Sequence, residues 1–256
     1  MKDPKLLRLE TRMAVGRLAY EAGYYTQASR HFKLALQMLE SGDFAAAYRA
    51  RILTGLAKSL AAQGLYTEAE PMILEALQLD EMNSSALADR AEDYHQLSLL
   101  CWRNGRSEES LQYAKAALKL VSTPGSNAPD ELIAKLLKHH AVLAEQAGRL
   151  AESERYLNEA IQFILCSDTL GKNSTIYGDV LLVKVFLLAE QARYEEAAEL
   201  YPQAMQIVSI NRGLEHPKVE EAINIFKEME DSQSEFDAIK ARKMERAKDS
   251  SNHGIL

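Results

Sequence analysis

Glycine and proline are scarce in this chain, with 12 and 6 among 256 residues. So few turn-formers disfavour a fold of many short strands, which would need a turn at each reversal. Cysteine is nearly absent. Cys101 and Cys166 are too far apart to give a metal-type spacing, so neither a disulfide framework nor a zinc site is expected, and a reducing, cytoplasmic setting is the simpler reading. Aromatic residues make up 7 %, with a single tryptophan, Trp102. Long apolar runs are missing, and Met1-Lys2-Asp3-Pro4-Lys5 leads into an amphipathic stretch, so neither a signal peptide nor a membrane span is expected. Positive charge is in deficit: 30 basic against 37 acidic residues give a net charge of −7, which argues against a general nucleic-acid binder while allowing a local basic patch. The triplets beginning at Asn83 and Asn173 match a glycosylation acceptor, which has no meaning in a cytosolic chain.

What remains is rich in Ala, Leu, Glu, Gln and Lys, all strong helix formers, so the chain reads as all-α. It also repeats. Gly64-Leu65-Tyr66-Thr67-Glu68-Ala69 has counterparts beginning at Gly23, Gly105, Gly148 and Ala192, spaced 41, 41, 43 and 44 residues apart. Glycine at this place can take the left-handed conformation that stops a helix. The residue two further on is apolar or aromatic in four copies and can plug the gap between two helices. A small residue follows (Ala28, Ala69, Ser110, Ser153, Ala197), and another seven on (Ala35, Ala76, Ala117, Ala160, Ala204), letting the second helix approach its neighbours closely. Ala192 departs from the pattern, so a less tight fifth turn is expected.

This pattern resembles the tetratricopeptide repeat family over about residues 10–230. The longer period and the segment Gly213-Leu214-Glu215-His216-Pro217 look like its kinesin-light-chain type, in which Gly-x-x-His-Pro opens a repeat. The resemblance implies a right-handed α-α superhelix of five helix-turn-helix repeats, at about 5–41, 44–80, 84–121, 130–166 and 176–210. Asp43 and Asn83 or Ser84 are expected as helix N-caps, and the last pair of helices at about 178–191 and 194–209. Residues 122–129, rich in Pro and Gly, read as a flexible joint. A capping helix opens at Pro217 and extends to about 247, with a basic cluster (Lys240, Arg242, Lys243, Arg246, Lys248) that is most simply a solvated face, and residues 248–256 read as a disordered tail.

No catalytic machinery stands out, so no enzyme, cofactor or metal is expected. Gly171-Lys172-Asn173-Ser174 is similar to the end of a phosphate loop but lacks its earlier glycine. His139 and His140 are adjacent, cannot chelate one metal as a pair on a helix, and read as one packed and one exposed ring; His95 is a conceivable third ligand.

The resemblance also implies that the first helices of the pairs line a concave face. In the second repeat Leu53, Leu56, Ala57 and Leu60 form the packed stripe, and Arg51, Thr54 and Lys58 lie beside it. The equivalent candidates are Arg17 and Tyr20; His95, Leu99, Trp102 and Arg103; Lys135 and Lys138; and Phe186. The set is basic and aromatic in an acidic molecule, with Glu10, Glu92, Glu145 and Asp179 as acidic exceptions. It suggests a non-catalytic scaffold holding an acidic peptide or protein partner by paired carboxylates and an apolar anchor. The family's chaperone-tail clamp needs asparagines that are absent here. Two alternatives stay open: a phosphatase-like regulator of a response regulator acting through Gln63, Gln146 or Gln191, and a single-stranded RNA binder. Self-association is left open.

Overall fold

The computed structural model describes residues 3–40, 46–83, 86–228, 231 and 234. Within them ten helices form five antiparallel pairs: α1 (Pro4–Glu21) with α2 (Tyr25–Glu40), α3 (Ala46–Ala61) with α4 (Tyr66–Met82), α5 (Leu87–Arg103) with α6 (Ser107–Val121), α7 (Asp130–Gln146) with α8 (Leu150–Cys166), and α9 (Thr175–Glu190) with α10 (Tyr194–Arg212). An eleventh, α11, covers 217–228. Asp43, Ser84, the basic cluster at 240–248 and the tail lie outside the described residues.

The repeat positions account for the packing. Ala28, Ala69, Ser110, Ser153 and Ala197 are fully buried, as are Ala35, Ala76, Ala117, Ala160 and Ala204. A methyl or hydroxymethyl group at each place lets helix backbones come close. Phe32, Ile73 and Leu157 fill the space between them. Each second helix packs on the first helix of the next pair. First helices also touch one another (α1 with α3, α3 with α5, α7 with α9), while second helices make no comparable contact. In a curved stack the inner layer is the crowded one, so the first helices form the concave side.

The turns are more uniform than expected. Ala192 has φ 56°, in the region that Gly23, Gly64, Gly105 and Gly148 occupy. Its turn closes with the same bond, Arg193 N to Leu188 O at 2.8 Å, as Arg106 N makes to Cys101 O at 2.8 Å. The fifth turn is therefore as tight as the others, and alanine bears the left-handed strain. Asn83 does not begin α5; its side chain donates back to the Leu79 carbonyl at 2.6 Å and closes α4, while the flank of α5 is Ala86. Helix α9 starts three residues earlier than expected, because the Ser174 side chain accepts from Tyr177 N.

Helix α11 ends the stack. Val219 and Ala222 are buried, and Phe226 stacks on Tyr201 with ring centroids 3.5 Å apart. The loop before it returns to the start of the chain. A β-carbon at Gly23 would lie 2.8 Å from Pro217 Cδ, and the Tyr25 ring meets His216 edge-on at 6.5 Å. The end of the superhelix thus bends round to its beginning.

Candidate functional site

The concave wall carries a row of ion pairs between successive first helices. Lys58 Nζ on α3 lies 2.7 Å from Glu92 Oε1 on α5, which also accepts from Gln96 Nε2 at 3.0 Å. Arg51 meets Asp89 at 3.4 Å, and Thr54 Oγ1 donates to Asp93 Oδ1 at 2.7 Å. Tyr20 on α1 lies under the same ammonium, with Lys58 Nζ 5.7 Å from its ring centroid. Burial alone would lower the Lys58 pKa, but Glu92 and Tyr20 outweigh it and the value is raised. Burial would raise Glu92, yet Lys58 first, then His95 and Lys135, hold it at about 2. This end of the wall is close to neutral.

The far end is not. Asp179 on α9 accepts a forked pair from Arg212, one arm at 2.8 Å, and has Lys138 Nζ at 3.7 Å. Against the cost of burial, Lys138 and then Arg212 push its carboxyl well below the usual range. Lys218 on α11 is exposed and makes no ion pair with Asp179, but lies near enough to feel Asp179, Lys138 and Arg212. Two cations, Lys138 and Arg212, share one carboxylate, with Tyr20 and Tyr25 near Arg212. The spot is positive inside a molecule of net charge −7.

The remaining candidates scatter. Lys135 pairs along its own helix with Glu131 at 2.7 Å. Arg17 is exposed and makes no ion pair among the described residues, and Arg103 lies over the Trp102 ring at 4.4 Å. Leu99 is half-buried; Phe186 is half-buried against the core of the last two pairs. His95 is not on the open wall. It is 4 % exposed in a seam between α5 and α7, with its ring 5.3 Å from that of His139. Trp102 borders the same seam, its centroid 6.2 Å from His139. Ser98 gives its one hydroxyl proton to the Ser110 carbonyl at 2.7 Å, which leaves His139 Nε2, also at 2.7 Å, as donor to Ser98 Oγ. Both His139 and His140 are buried, against the expectation of one exposed ring. Among the described residues no group of histidine, cysteine and carboxylate ligands is placed to hold a metal.

The glutamines offered for phosphatase-like work are less free than expected. Gln63 donates to the Ser59 and Tyr25 carbonyls at 2.8 and 3.2 Å, and Gln191 accepts from Arg193 at 2.8 Å; only Gln146 is exposed. Sequence reasoning missed Arg212, Lys218, Tyr25 and His216, because none lies on a first helix. The segment from Gly213 to Pro217 was a visible signal, but not that it would bring these side chains to the wall.

Hairpins stacked in register around a charged concave face define a helical repeat protein. Residues 48–123 match the family model of the tetratricopeptide repeat. Comparison with curated protein sequences finds no match. Among solved structures the chain is similar to a Rap protein complexed with competence and sporulation factor (13 % identity, TM-score 0.71, 96 % of this chain and 72 % of that one). It is also similar to the Rap conjugation gene regulator of plasmid pLS20 in complex with the Phr* peptide (15 %, TM-score 0.69, 79 % of this chain), of which it spans only 54 %. A third is BtubC (BKLC) from P. vanneervenii (19 %, TM-score 0.54, 92 % of each chain). At these identities the likeness is one of fold. Among the described residues no helix is long and apolar enough to cross a membrane.

Proposed function

We propose that the protein is a non-catalytic scaffold that binds a peptide, or an extended segment of a partner protein, along its concave face. The observation that carries this is the pairing of both Lys138 and Arg212 with the single carboxylate of Asp179, with the exposed Lys218 nearby. A second carboxylate, from an acidic side chain or a chain terminus, would find two under-compensated cations there, in a partly desolvated wall where charge-assisted bonds are strong. Tyr20 and Tyr25 border that position and offer apolar surface to a neighbouring side chain. Two structural neighbours are complexes, one with the Phr* peptide and one with competence and sporulation factor, which supports a peptide or protein ligand as the reading.

Charge reversal of Lys58 would set like charges against Glu92, so the test uses positions that tolerate change. Lys138→Gln leaves Asp179 paired with Arg212, and Arg17→Glu alters an unpaired cation. A library of immobilised acidic and neutral peptides is probed with wild type and with the double variant. The expected result is saturable, salt-sensitive binding of acidic members, lost in the variant at an unchanged thermal transition. Equal binding by both proteins, or retention of single-stranded RNA in preference to any peptide, would overturn the reading.

A further inference from the structure

Helix α1 turns an apolar face away from the stack. Each later first helix has the second helix of the preceding pair packed on it, α3 by α2, α5 by α4, α7 by α6 and α9 by α8. On α1 that face is open. The helix packs on α2 and touches α3 with its other side, where Leu9 and Gly16 are buried and Gly16 lies against the Phe32 ring. Pro217 seats on Gly23, past the end of α1, and leaves the outer face uncovered. A terminal repeat ordinarily presents polar residues at such a place. Here Leu7 and Leu18 are 55 % and 64 % exposed, and Val15 is exposed beside them.

The face is complementary to itself. Leu7, Thr11, Ala14 and Leu18 fall within about 60° of one another around the helix. The Thr11 hydroxyl already donates to the Leu7 carbonyl at 2.7 Å, so covering it leaves no donor unpaired. Two copies laid antiparallel, with a twofold axis midway between residues 12 and 13, set Leu7 of each against Leu18 of the other. Thr11 then meets Ala14, and these small residues at the centre let the helices approach. Such a twofold brings the same flank of both helices together. Glu10 and Arg17 share one flank, and reversal puts Arg17 of each copy about 3 Å in axial height from Glu10 of the other. Arg17 is exposed and makes no ion pair among the described residues, and Glu10 accepts from Tyr48 at 3.1 Å. The two copies of Arg17 lie about 13 Å apart along the axis, as do those of Arg8, so like charges do not meet. A bilayer fits the face less well, because an anionic leaflet repels a molecule of net charge −7.

We infer that two copies of this chain associate through α1 as an antiparallel helix pair. One helix pair covers less than the roughly 800 Å² per partner of a standard interface. The dimer is therefore weak, with a dissociation constant on the order of 10–100 μM. The inference does not depend on the concave-face reading.

Sedimentation equilibrium of the full chain, from about 1 to 500 μM, tests it. The expected result is a monomer–dimer equilibrium that Leu18→Glu weakens by about tenfold or more, the worth of one buried leucine. The thermal transition of that variant in dilute solution should be unchanged. The helix direction is read from disulfides. Leu7→Cys and Leu18→Cys are made with the exposed Cys166 replaced by serine, and oxidised separately and mixed. In the antiparallel pair each new thiol is about 16 Å in height from its own copy, so only the mixture should cross-link. Flotation with vesicles of phosphatidylcholine and phosphatidylserine should leave wild type in the lipid-free fraction. Wild type that stays monomeric throughout, a dimer indifferent to Leu18→Glu, or cross-linking as ready in either variant alone would each overturn the proposal. Vesicle binding that Leu18→Glu abolishes would assign the face to a membrane and overturn it too.

Discussion

The Pro217 ring rests on the α-carbon of Gly23, so the loop before the last helix is seated on the first turn of the stack. His216 beside it is 4 % exposed, and its Nδ1 accepts from Lys218 N at 3.1 Å. The contact does two things. It covers the open end of the first pair, and it carries Arg212 and Lys218 to the concave wall.

Gly23 and Gly64 offer a matched comparison. Both have positive φ, 82° and 79°, but nothing lies within 4 Å of a β-carbon at Gly64, while Pro217 blocks one at Gly23. Gly64→Ala should cost the left-handed strain alone, about 1–2 kcal/mol. Gly23→Ala should cost about 1–3 kcal/mol more through the overpacked contact. Urea unfolding measures the difference, and hydrogen exchange across 217–228 should rise only in Gly23→Ala. Equal losses in the two variants would mean that the closing contact contributes nothing.

Ala192 is the reverse case. It holds φ 56° where four other turns use glycine. Ala192→Gly should relieve strain at the cost of a more flexible unfolded chain, for a net gain of about 0.5–1 kcal/mol. A thermal transition that rises by a few degrees would bear this out; a fall would mean that the turn accommodates alanine without strain.

The α5–α7 seam should make stability depend on pH. Burial holds His95 at about 3, with Lys58, Lys135 and Lys138 also opposing protonation, while Glu92 pulls the other way. Burial likewise lowers His139, assisted by His95. Both values lie below the unfolded value of about 6.5, so the unfolded chain takes up protons first. The stability from these neutral rings is complete above about pH 6.5 and is lost as the pH falls, at up to about 1.4 kcal/mol per unit for each ring. Unfolding midpoints between pH 7 and 5 should drop steeply in wild type and less so in His95→Gln. An unchanged slope in that variant would remove His95 from the account.

Asp93 works in the opposite direction. Burial is the main cause that raises its carboxyl to about 8; the Thr54 bond opposes this, and Asp80, Glu92 and Asp89 add to it. The folded value exceeds the unfolded one, so the stabilisation present at low pH is lost as pH rises through about 8. Asp93→Asn mimics the protonated acid. Its melting temperature should match wild type below about pH 4, the unfolded range of a carboxyl, and exceed it by a margin that grows up to about pH 8, a divergence that differential scanning fluorimetry would reveal. Parallel curves would mean that Asp93 is ionised throughout.

The concave wall was half legible in the sequence. Helical spacing separated Arg51, Thr54 and Lys58 from the buried Leu53, Leu56 and Leu60, and the structure keeps that division. Spacing could not reveal that Lys58 meets Glu92, or that Asp93 receives Thr54, because those partners lie on the next pair. Nor could it tell that His95 would turn into the seam toward His139, since its period places it one turn from Leu99 on either reading.

Local chemistry by itself determined the helices, the five turns and the small buried positions. Glycine's freedom at positive φ and the size of a side chain at a helix crossing act over a few residues and can be read from them. The tertiary structure alone decided how far the stack curves. Curvature follows from the sum of the packing angles between pairs, and no single residue encodes that sum. It is that curvature which seats Pro217 on Gly23 and brings Lys138 and Arg212 together on Asp179.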